Sequence, residues 1–311
     1  MTTTLHLTIW QTIALSLLQG LTELFPVSSL GHTVILPGLL PSFFGPSNLQ
    51  TDTSCAGQSC FLPIITALHI GTSIALVIYF WRDWWQVILT LVKSIKEGEV
   101  RTGTNEWVSF LIIIGVVPAG LIGVALETPL KQLFASPVIA AAFLVVNGSI
   151  LFAGERMRRR ALEKAQYADT IEGKAAFRPL SSLTWKEALI VGTAQSLALI
   201  PGISRSGVTM VGALGVRLNH EDAARFSFLL GTPLIFLAGA LEIPQLFGQS
   251  SQTLVYVFVG MVLSGVAAYV STKFLMKYFE KGNLIPFAYY CWGLGLFALI
   301  LFATVFRNVV H

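Results

Sequence analysis

The stretches FPVSSLG (residues 25–31) and IPGISRSG (residues 200–207) each interrupt a long apolar run, and these interruptions decide the fold. The first lies within an apolar run at 7–40 and the second within one at 187–217. Neither arm of either run reaches the ~20 residues that a membrane-crossing helix requires. Irregular backbone at membrane depth survives only where protein or a wet cavity satisfies its polar groups. Both runs are therefore predicted to form re-entrant helical hairpins, and both interruptions are candidate functional sites.

The composition of the chain excludes a water-soluble globular protein. Of its 311 residues, 54% are hydrophobic and only 12% are charged, and the mean hydropathy is +0.72. Soluble domains carry roughly 25% charged residues, so most of this exterior must face lipid. Six further apolar segments reach spanning length, at about 62–81, 107–126, 137–153, 225–243, 254–272 and 287–306. The predicted fold is an all-α integral membrane protein with six transmembrane helices and two re-entrant hairpins, forming a single domain over residues 1–311.

The distribution of basic residues predicts the orientation of these segments. If each segment crosses once, four loops on one side carry 17 of the 20 Lys and Arg residues, at 82–106, 154–186, 217–225 and 273–286. Loops rich in Lys and Arg face the cytoplasm, so the first hairpin opens outward and the second inward. Because the basic residues are spread between apolar segments, no nucleic-acid partner is expected. The loop around Cys55 and Cys60 then faces outward, where a disulfide is permitted.

Two shorter segments of the first half lie outside the spanning pattern. The segment WWQVILTLVKSIKE (84–97) begins with two Trp residues and continues with lysines, which predicts an amphipathic helix at the membrane interface. The opening segment MTTTLHLTIWQ has no basic n-region of a secretory signal, because the first basic residue is Arg82. We therefore expect it to be retained.

The two interrupted runs resemble each other in sequence. A shift of 176 positions aligns QGLTELFPVSSLG (19–31) with QSLALIPGISRSG (195–207), with four identities in thirteen positions. Each run is followed by three predicted spans, so the halves at about 1–153 and 187–311 have opposite orientations on either side of a cytoplasmic loop at 154–186. This arrangement predicts an inverted repeat, in which a ligand binds near the bilayer midplane between the halves.

Gln19 and Glu23 carry the polar chemistry before the first interruption. Their i, i+4 spacing places both side chains on one helix face. A carboxylate in hydrocarbon is costly and usually faces a cavity, although Glu23 could also lie at an interfacial helix end and only accept hydrogen bonds. Oxygen ligands of this kind suit a hard divalent cation, Mg²⁺ or Ca²⁺, bound by Glu23 and the carbonyl of Gln19.

Ser28, Ser29 and His32 follow Pro26 at the start of the second arm. Serines are good N-cap residues, so hydroxyls and backbone N–H groups should point into the cavity at the positive end of a helix and favour an anion. His32 lies one helical turn from Ser29, and a serine activated by a neighbouring histidine is a nucleophile pair. The alternative is a structural role for His32.

Arg205, in the second interruption, is the one basic residue that cannot be assigned to a membrane surface. A buried arginine needs an anionic partner, and its planar fork of donors binds phosphate in a bidentate manner. Four neighbours would let the backbone and hydroxyls close around the same oxygens: Gly202, Ser204, Ser206 and Gly207. The alternative is a structural ion pair between Arg205 and Glu23, which could coexist with phosphate binding. Structural roles are predicted for the other embedded polar residues, His69, Asn147, Gln195 and Glu242.

The motifs QGLTELFPVSSLGH (19–32) and PGISRSG (201–207) resemble the two signatures of the undecaprenyl-diphosphate phosphatase family of the bacitracin-resistance type. The resemblance extends along essentially the whole chain in motif order, spacing and hydropathy. It implies removal of a phosphate from undecaprenyl diphosphate on the outer side of the bacterial inner membrane, which regenerates a lipid carrier for cell-wall polymers. Two features depart from the family pattern: Leu30 replaces a hydroxyl residue, and the polar insert at 41–61 is longer than usual.

The resemblance also implies roles for individual residues. Gln19 and Glu23 fill the paired acidic or Gln positions, Ser29 and His32 those of nucleophile and base, and Ser204 and Arg205 belong to the phosphate-binding loop.

The expected mechanism is phosphoryl transfer, with attack by Ser29 or directly by water. A lipid transporter or flippase is the second hypothesis, because transporters share inverted repeats and midplane hairpins; a purely structural scaffold would leave the embedded charges unexplained. The expected partners are a polyprenyl diphosphate and the bilayer, and a homodimer is left open.

Overall fold

The computed structural model describes residues 8–40, 43, 61–97, 102–126, 136–172, 177–247 and 249–304. Within these ranges the chain forms α-helices and short 3₁₀ segments, without strands. The helices are α1 (Ile9–Thr22), α2 (Ser29–Leu39), α3 (Phe61–Tyr79), α4 (Trp81–Glu97), α5 (Asn105–Ala125), α6 (Pro137–Glu172), α7 (Trp185–Gln195), α8 (Arg205–Gly215), α9 (His220–Glu242), α10 (Ser251–Phe279) and α11 (Ile285–Thr304). Cys55 and Cys60, for which the sequence permits a disulfide, lie outside the described residues.

The apolar segments predicted from sequence form helices of the expected length. Within the described ranges, five helices are long and apolar enough to cross a membrane, namely α5, α6, α9, α10 and α11. The sixth, α3, meets that condition only together with α4, from which it is bent by 85°. The amphipathic helix predicted at 84–97 is α4, and it begins at Trp81. The all-α membrane fold predicted from sequence is confirmed, and the protein is a multi-pass membrane protein.

The predicted cytoplasmic loop at 154–186 begins as helix. Helix α6 continues beyond the apolar span predicted at 137–153 and ends at Glu172. The added residues include RMRRRALEKA (156–165), which is rich in strong helix formers. Hydropathy marks where the apolar part ends, whereas helix propensity sets where the helix ends.

The two interrupted runs are helical hairpins with short arms. The first is α1 and α2, of 14 and 11 residues, and the second is α7 and α8, of 11 residues each. At 1.5 Å per residue these arms are about 16–21 Å long, less than the ~30 Å of hydrocarbon. Both first arms begin with a threonine capping box, at Thr8 and Thr184. Arms of this length fit hairpins that enter the membrane and return.

Packing between the halves follows the pattern expected of an inverted repeat. The first arm α1 packs on α10 of the other half, and its counterpart α7 packs on α5. The corresponding helices α3 and α9 contact each other, as do α6 and α11. The hairpin turns also meet, since a methyl group added at Gly31 would lie 3.1 Å from the Cα of Gly202. The two interruptions, which are far apart in sequence, therefore lie side by side inside the helical bundle.

Candidate functional site

Glu23, at the C-terminal end of α1, lies at the centre of a buried polar cluster. Its side chain is almost inaccessible, with the whole residue 6% exposed. Oε1 accepts a hydrogen bond from Nη2 of Arg205 at 3.2 Å. Oε2 accepts one from the hydroxyl of Ser29 and lies 3.2 Å from Nε2 of His69. Three other helices, α2, α3 and α8, thus each bring one polar side chain to this carboxylate.

The geometry of the first turn brings Ser29 back to Glu23. Ser28, which precedes α2, has a φ of +69°, a left-handed conformation that costs a non-glycine residue of order 1–3 kcal/mol. Its hydroxyl accepts the backbone N–H of Gly31 at 3.2 Å and so caps α2. The reversed chain direction allows the Ser29 hydroxyl to reach a carboxylate six residues earlier.

The second turn depends on a glycine. Gly202 has a φ of +96°, and a Cβ there would lie 2.2 Å from the carbonyl oxygen of Ala140. Ser204 then caps α8 by accepting the N–H of Gly207 at 3.1 Å. Arg205 is consequently the first residue of α8, where its side chain extends toward Glu23 across the interface between the halves.

The guanidinium of Arg205 lies directly over Gly231 of α9. A Cβ at Gly231 would be 1.4 Å from Nη1 of Arg205, so the arginine occupies the space that any side chain there would fill. Nη1 donates to the carbonyl of Ser227 at 3.4 Å. Nε is buried and has no hydrogen-bond partner within the described part of the chain. The ion pair with Glu23 that was considered from sequence is present, and the guanidinium still has a donor available for a ligand.

The other polar residues of the second turn join the two hairpins. Ser204 and Ser206 both donate to the carbonyl of Phe25, at 3.4 and 3.1 Å. Asn147 donates to the carbonyl of Pro26 at 3.0 Å and accepts the N–H of Ser204 at 2.9 Å. Ser206 is fully buried in these contacts. The structure therefore places Ser206, Gly202 and Gly207 in the joint between the hairpins, and Ser204 both there and on the cavity wall.

Both ring nitrogens of His32 have hydrogen-bond partners other than the hydroxyl of Ser29. Its Nδ1 lies 2.7 Å from the carbonyl oxygen of Ser28, which only accepts, so Nδ1 carries the proton. Its Nε2 lies 2.8 Å from the hydroxyl of Tyr290 in α11, and the two rings stack at 5.6 Å between centroids. The i, i+4 position places the imidazole over the backbone of Ser28 and turns it toward α11. Of the Ser29 and His32 pair expected from sequence, only Ser29 contacts Glu23.

His69 is the cluster residue for which sequence reasoning predicted a structural role. Its Nδ1 lies 3.2 Å from the carbonyl of Ile65, while Nε2 faces Glu23. Both neighbours offer oxygen atoms to the imidazole. An ionisable residue within a spanning helix is by default a functional candidate, and that signal could have singled out His69.

Gln19 lies outside the cavity, although Glu23 lines it. The Gln19 side chain is fully buried, and its Oε1 accepts hydrogen bonds from Thr72 at 3.0 Å and from Ser264. These contacts join α1 to α3 and α10, and they occupy the oxygen that a cation would need. Among the residues described, no group of three His, Cys, Asp or Glu side chains has the spacing of a metal site. The arrangement described therefore does not fit a cation held jointly by Gln19 and Glu23.

A cavity of about 260 Å³ opens beside the cluster and has a mixed polar and apolar lining. Its polar end is the cluster of Glu23, Ser29, His69 and Arg205. Further polar residues of the lining are Ser28, Gln195, Ser204 and Glu242. The apolar wall comes from α5 and α9, with small residues on α5 and leucines on α9: Ala119, Gly120, Gly123, Leu234, Leu237 and Leu241. A concave site with a few convergent polar groups and an apolar wall suits an amphiphile with an anionic head.

The chain matches known proteins over nearly its whole length. Residues 12–297 match the family described as Bacitracin resistance protein BacA. The chain belongs to the BacA family. The match includes both hairpins, so the family resemblance seen in the two sequence motifs is confirmed.

Three relatives illustrate the similarity within the BacA family. An undecaprenyl-diphosphatase of Mycolicibacterium paratuberculosis is 41% identical, over 96% of this chain and 99% of its own length. Undecaprenyl-diphosphatase 2 of Frankia alni is 38% identical over the same shares. Undecaprenyl-diphosphatase 2 of Burkholderia thailandensis is 44% identical over 94% of this chain and 96% of its own length.

Proposed function

We propose that this BacA-family protein hydrolyses undecaprenyl diphosphate to undecaprenyl phosphate and inorganic phosphate. The observation that carries the proposal is the cavity itself, in which Arg205, Glu23 and Ser29 meet at the polar end and an apolar wall continues from it. Relatives named undecaprenyl-diphosphatase, aligned over nearly the whole chain, support the same substrate.

Binding begins at Arg205. A guanidinium pairs with phosphoryl oxygens in a fork of parallel hydrogen bonds, and the Nε of Arg205 is buried without a partner among the described residues. The diphosphate competes with Glu23 for this guanidinium, so substrate binding releases the carboxylate from its cation. The N-terminal ends of α2 and α8 favour the same negative charge. The prenyl chain extends along the apolar wall formed by α5 and α9.

Chemistry then starts at Ser29. Its hydroxyl already donates to Glu23, and His69 approaches the same carboxylate oxygen. Glu23 takes the proton as Ser29 Oγ attacks the terminal phosphorus, the bond to the bridging oxygen breaks, and undecaprenyl phosphate leaves. Water then hydrolyses the phosphoserine and releases inorganic phosphate. Positioning and charge stabilisation supply most of the rate enhancement in such a transfer.

Location and cofactor are parts of the same proposal. The 17 basic residues on one side favour a plasma-membrane orientation in which the site opens to the extracytoplasmic side of a bacterium.

A divalent cation, Mg²⁺ or Ca²⁺, would accompany the diphosphate near Glu23 and offset the negative charge of the diphosphate. A chelator series in the phosphate-release assay tests the cation, with lost activity expected on chelation and restoration on adding Mg²⁺ or Ca²⁺.

Phosphate release by the purified protein tests the proposal. The wild-type protein should release inorganic phosphate from undecaprenyl diphosphate in detergent micelles. The substitutions Arg205→Ala and Glu23→Ala should each abolish this release, although both variant proteins should still insert into the membrane. Arg159→Ala, which removes a side chain that is 60% exposed, is the matched control and should keep full activity. Acid-quenched wild-type protein should carry phosphate on Ser29. Lipid translocation without phosphate release would instead identify a flippase.

A further inference from the structure

Gln195, the last residue of α7, is a buried amide without hydrogen bonds. The residue is 2% exposed, and neither Oε1 nor Nε2 has a partner among the residues that the structure describes. It lines the same cavity as Glu23, Ser29 and Arg205. Leaving a buried polar group without a hydrogen bond is destabilising. An amide kept in this position therefore carries a cost in the empty protein that a ligand would remove.

The repeat-related residue Gln19 differs in its amide oxygen: Oε1 of Gln19 is paired, whereas its Nε2, like both amide atoms of Gln195, has no partner among the described residues. Gln19 accepts hydrogen bonds from Thr72 and Ser264 and so joins α1 to its neighbours. Between α7 and α5 the close contact is made by glycine instead, since a Cβ at Gly192 would lie 2.0 Å from the carbonyl of Gly115. The close approach of α7 to α5 therefore does not use the Gln195 amide, and Gln195 lines the cavity.

We propose that Gln195 binds the diphosphate group of the substrate, an inference that rests on the proposed function for the identity of the ligand. Nε2 donates a hydrogen bond to a non-bridging phosphoryl oxygen, and Oε1 accepts one from bound water or a phosphoryl hydroxyl. The Nε of Arg205, another residue that lines this cavity, is also buried and has no partner among the described residues. Two unpaired donors on residues that line one cavity are what a multiply charged anion would satisfy.

The test replaces Gln195 by methionine, which keeps the length of the side chain and removes the amide. Hydrogen bonds to charged groups contribute about 1.5–3 kcal/mol, so Gln195→Met should lower kcat/KM about 10- to 100-fold. The melting temperature of the ligand-free variant should equal or exceed that of wild type, because an unpaired buried amide has been removed. A structural role would lower it. Gln195→Glu should reduce kcat/KM further, because a carboxylate repels the anion.

Binding of a non-hydrolysable probe separates this inference from the hydrolysis reaction. Farnesyl methylenediphosphonate should raise the melting temperature of wild type and raise that of Gln195→Met less. Gln252→Met, at an exposed glutamine of α10, is the matched control and should behave like wild type. The inference is overturned if Gln195→Met keeps the wild-type kcat/KM and probe shift, or if its ligand-free melting temperature falls. If wild type binds the probe but releases no phosphate, hydrolysis is excluded while the probe shift still decides the role of Gln195.

Discussion

Glu23 and Arg205 are 182 positions apart, and their side chains form an ion pair of 3.2 Å between the two interrupted hairpins. Each belongs to a different half, so the pair exists only when the halves are assembled. A buried pair is costly to break from one side, since the remaining charge is left without a partner. The same pair is what an entering diphosphate would separate. We therefore expect stability and ligand binding to depend on the same two side chains.

Removing one member of this pair should destabilise the protein more than removing both. Glu23→Gln or Arg205→Met alone should each cost about 3–5 kcal/mol, the range for breaking a buried ion pair. The double variant should cost less than the sum, because no buried charge remains. Denaturation of the purified variants in detergent measures this coupling. Additive losses would contradict a direct interaction between the two residues.

Gly231 should be required for activity because it makes room for Arg205. The added methyl of Gly231→Ala would lie 1.4 Å from Nη1, so the guanidinium must move away from Glu23 and the cavity. We expect phosphate release to fall at least about 100-fold, as misplacing a group by about 1 Å does. Gly293→Ala is the control, since a Cβ there meets nothing within 4 Å. Equal activity in the two variants would exclude this positioning role.

His69 should act by donating a hydrogen bond to Glu23. His69→Leu removes the donor and should lower kcat about 10- to 100-fold, whereas His69→Gln offers an amide N–H and should retain much of the activity. Thermal unfolding of both variants checks that each remains folded. If His69→Leu turns over substrate as fast as wild type, the contact with Glu23 is not used in the reaction.

The glycines of α5 should set the space available to the prenyl chain. A methyl at Gly123 would make an ordinary contact of 3.6 Å with Leu199, so Gly123→Ala should fold and work normally. Gly123→Phe would fill the apolar wall and should raise KM for undecaprenyl diphosphate. Steady-state kinetics with farnesyl and undecaprenyl diphosphates measures the effect. An unchanged KM for both substrates would show that the prenyl chain does not bind beside Gly123.

The sequence was sufficient to predict the hairpins, because Pro, Gly and Ser interrupt apolar runs at two matching positions. It also indicated that Arg205 needs an anionic partner, since an unpaired arginine at that depth is too costly. The long-range partners were not predictable in the same way. His32 turns toward Tyr290, 258 positions away, and that choice depends on how α11 packs. Spacing along one helix predicts which face of the helix carries a residue, but it does not predict which residue of another helix lies opposite.

The inverted repeat also shows that the sequence alone does not predict the partners of polar residues. Gln19 and Gln195 align in sequence, yet Oε1 of Gln19 joins helices, whereas Oε1 of Gln195, which lines the cavity, has no partner in the part of the chain that the structure describes. The difference comes from Thr72 and Ser264, which surround only the first. The contact of His69 with Glu23 was likewise not predicted, because it depends on the packing of α3 against α1. Local sequence patterns predict the helices, whereas tertiary contacts determine which partner each polar residue has.

Binding of the diphosphate to Arg205, in the cavity between the hairpins, can be observed in an experimental structure with an undecaprenyl methylenediphosphonate. We expect phosphoryl oxygens within hydrogen-bond distance of the guanidinium and a widened separation between Glu23 and Arg205. The prenyl chain should lie between α5 and α9. A headgroup bound outside the cavity, with the Glu23 to Arg205 contact still at 3.2 Å, would contradict it.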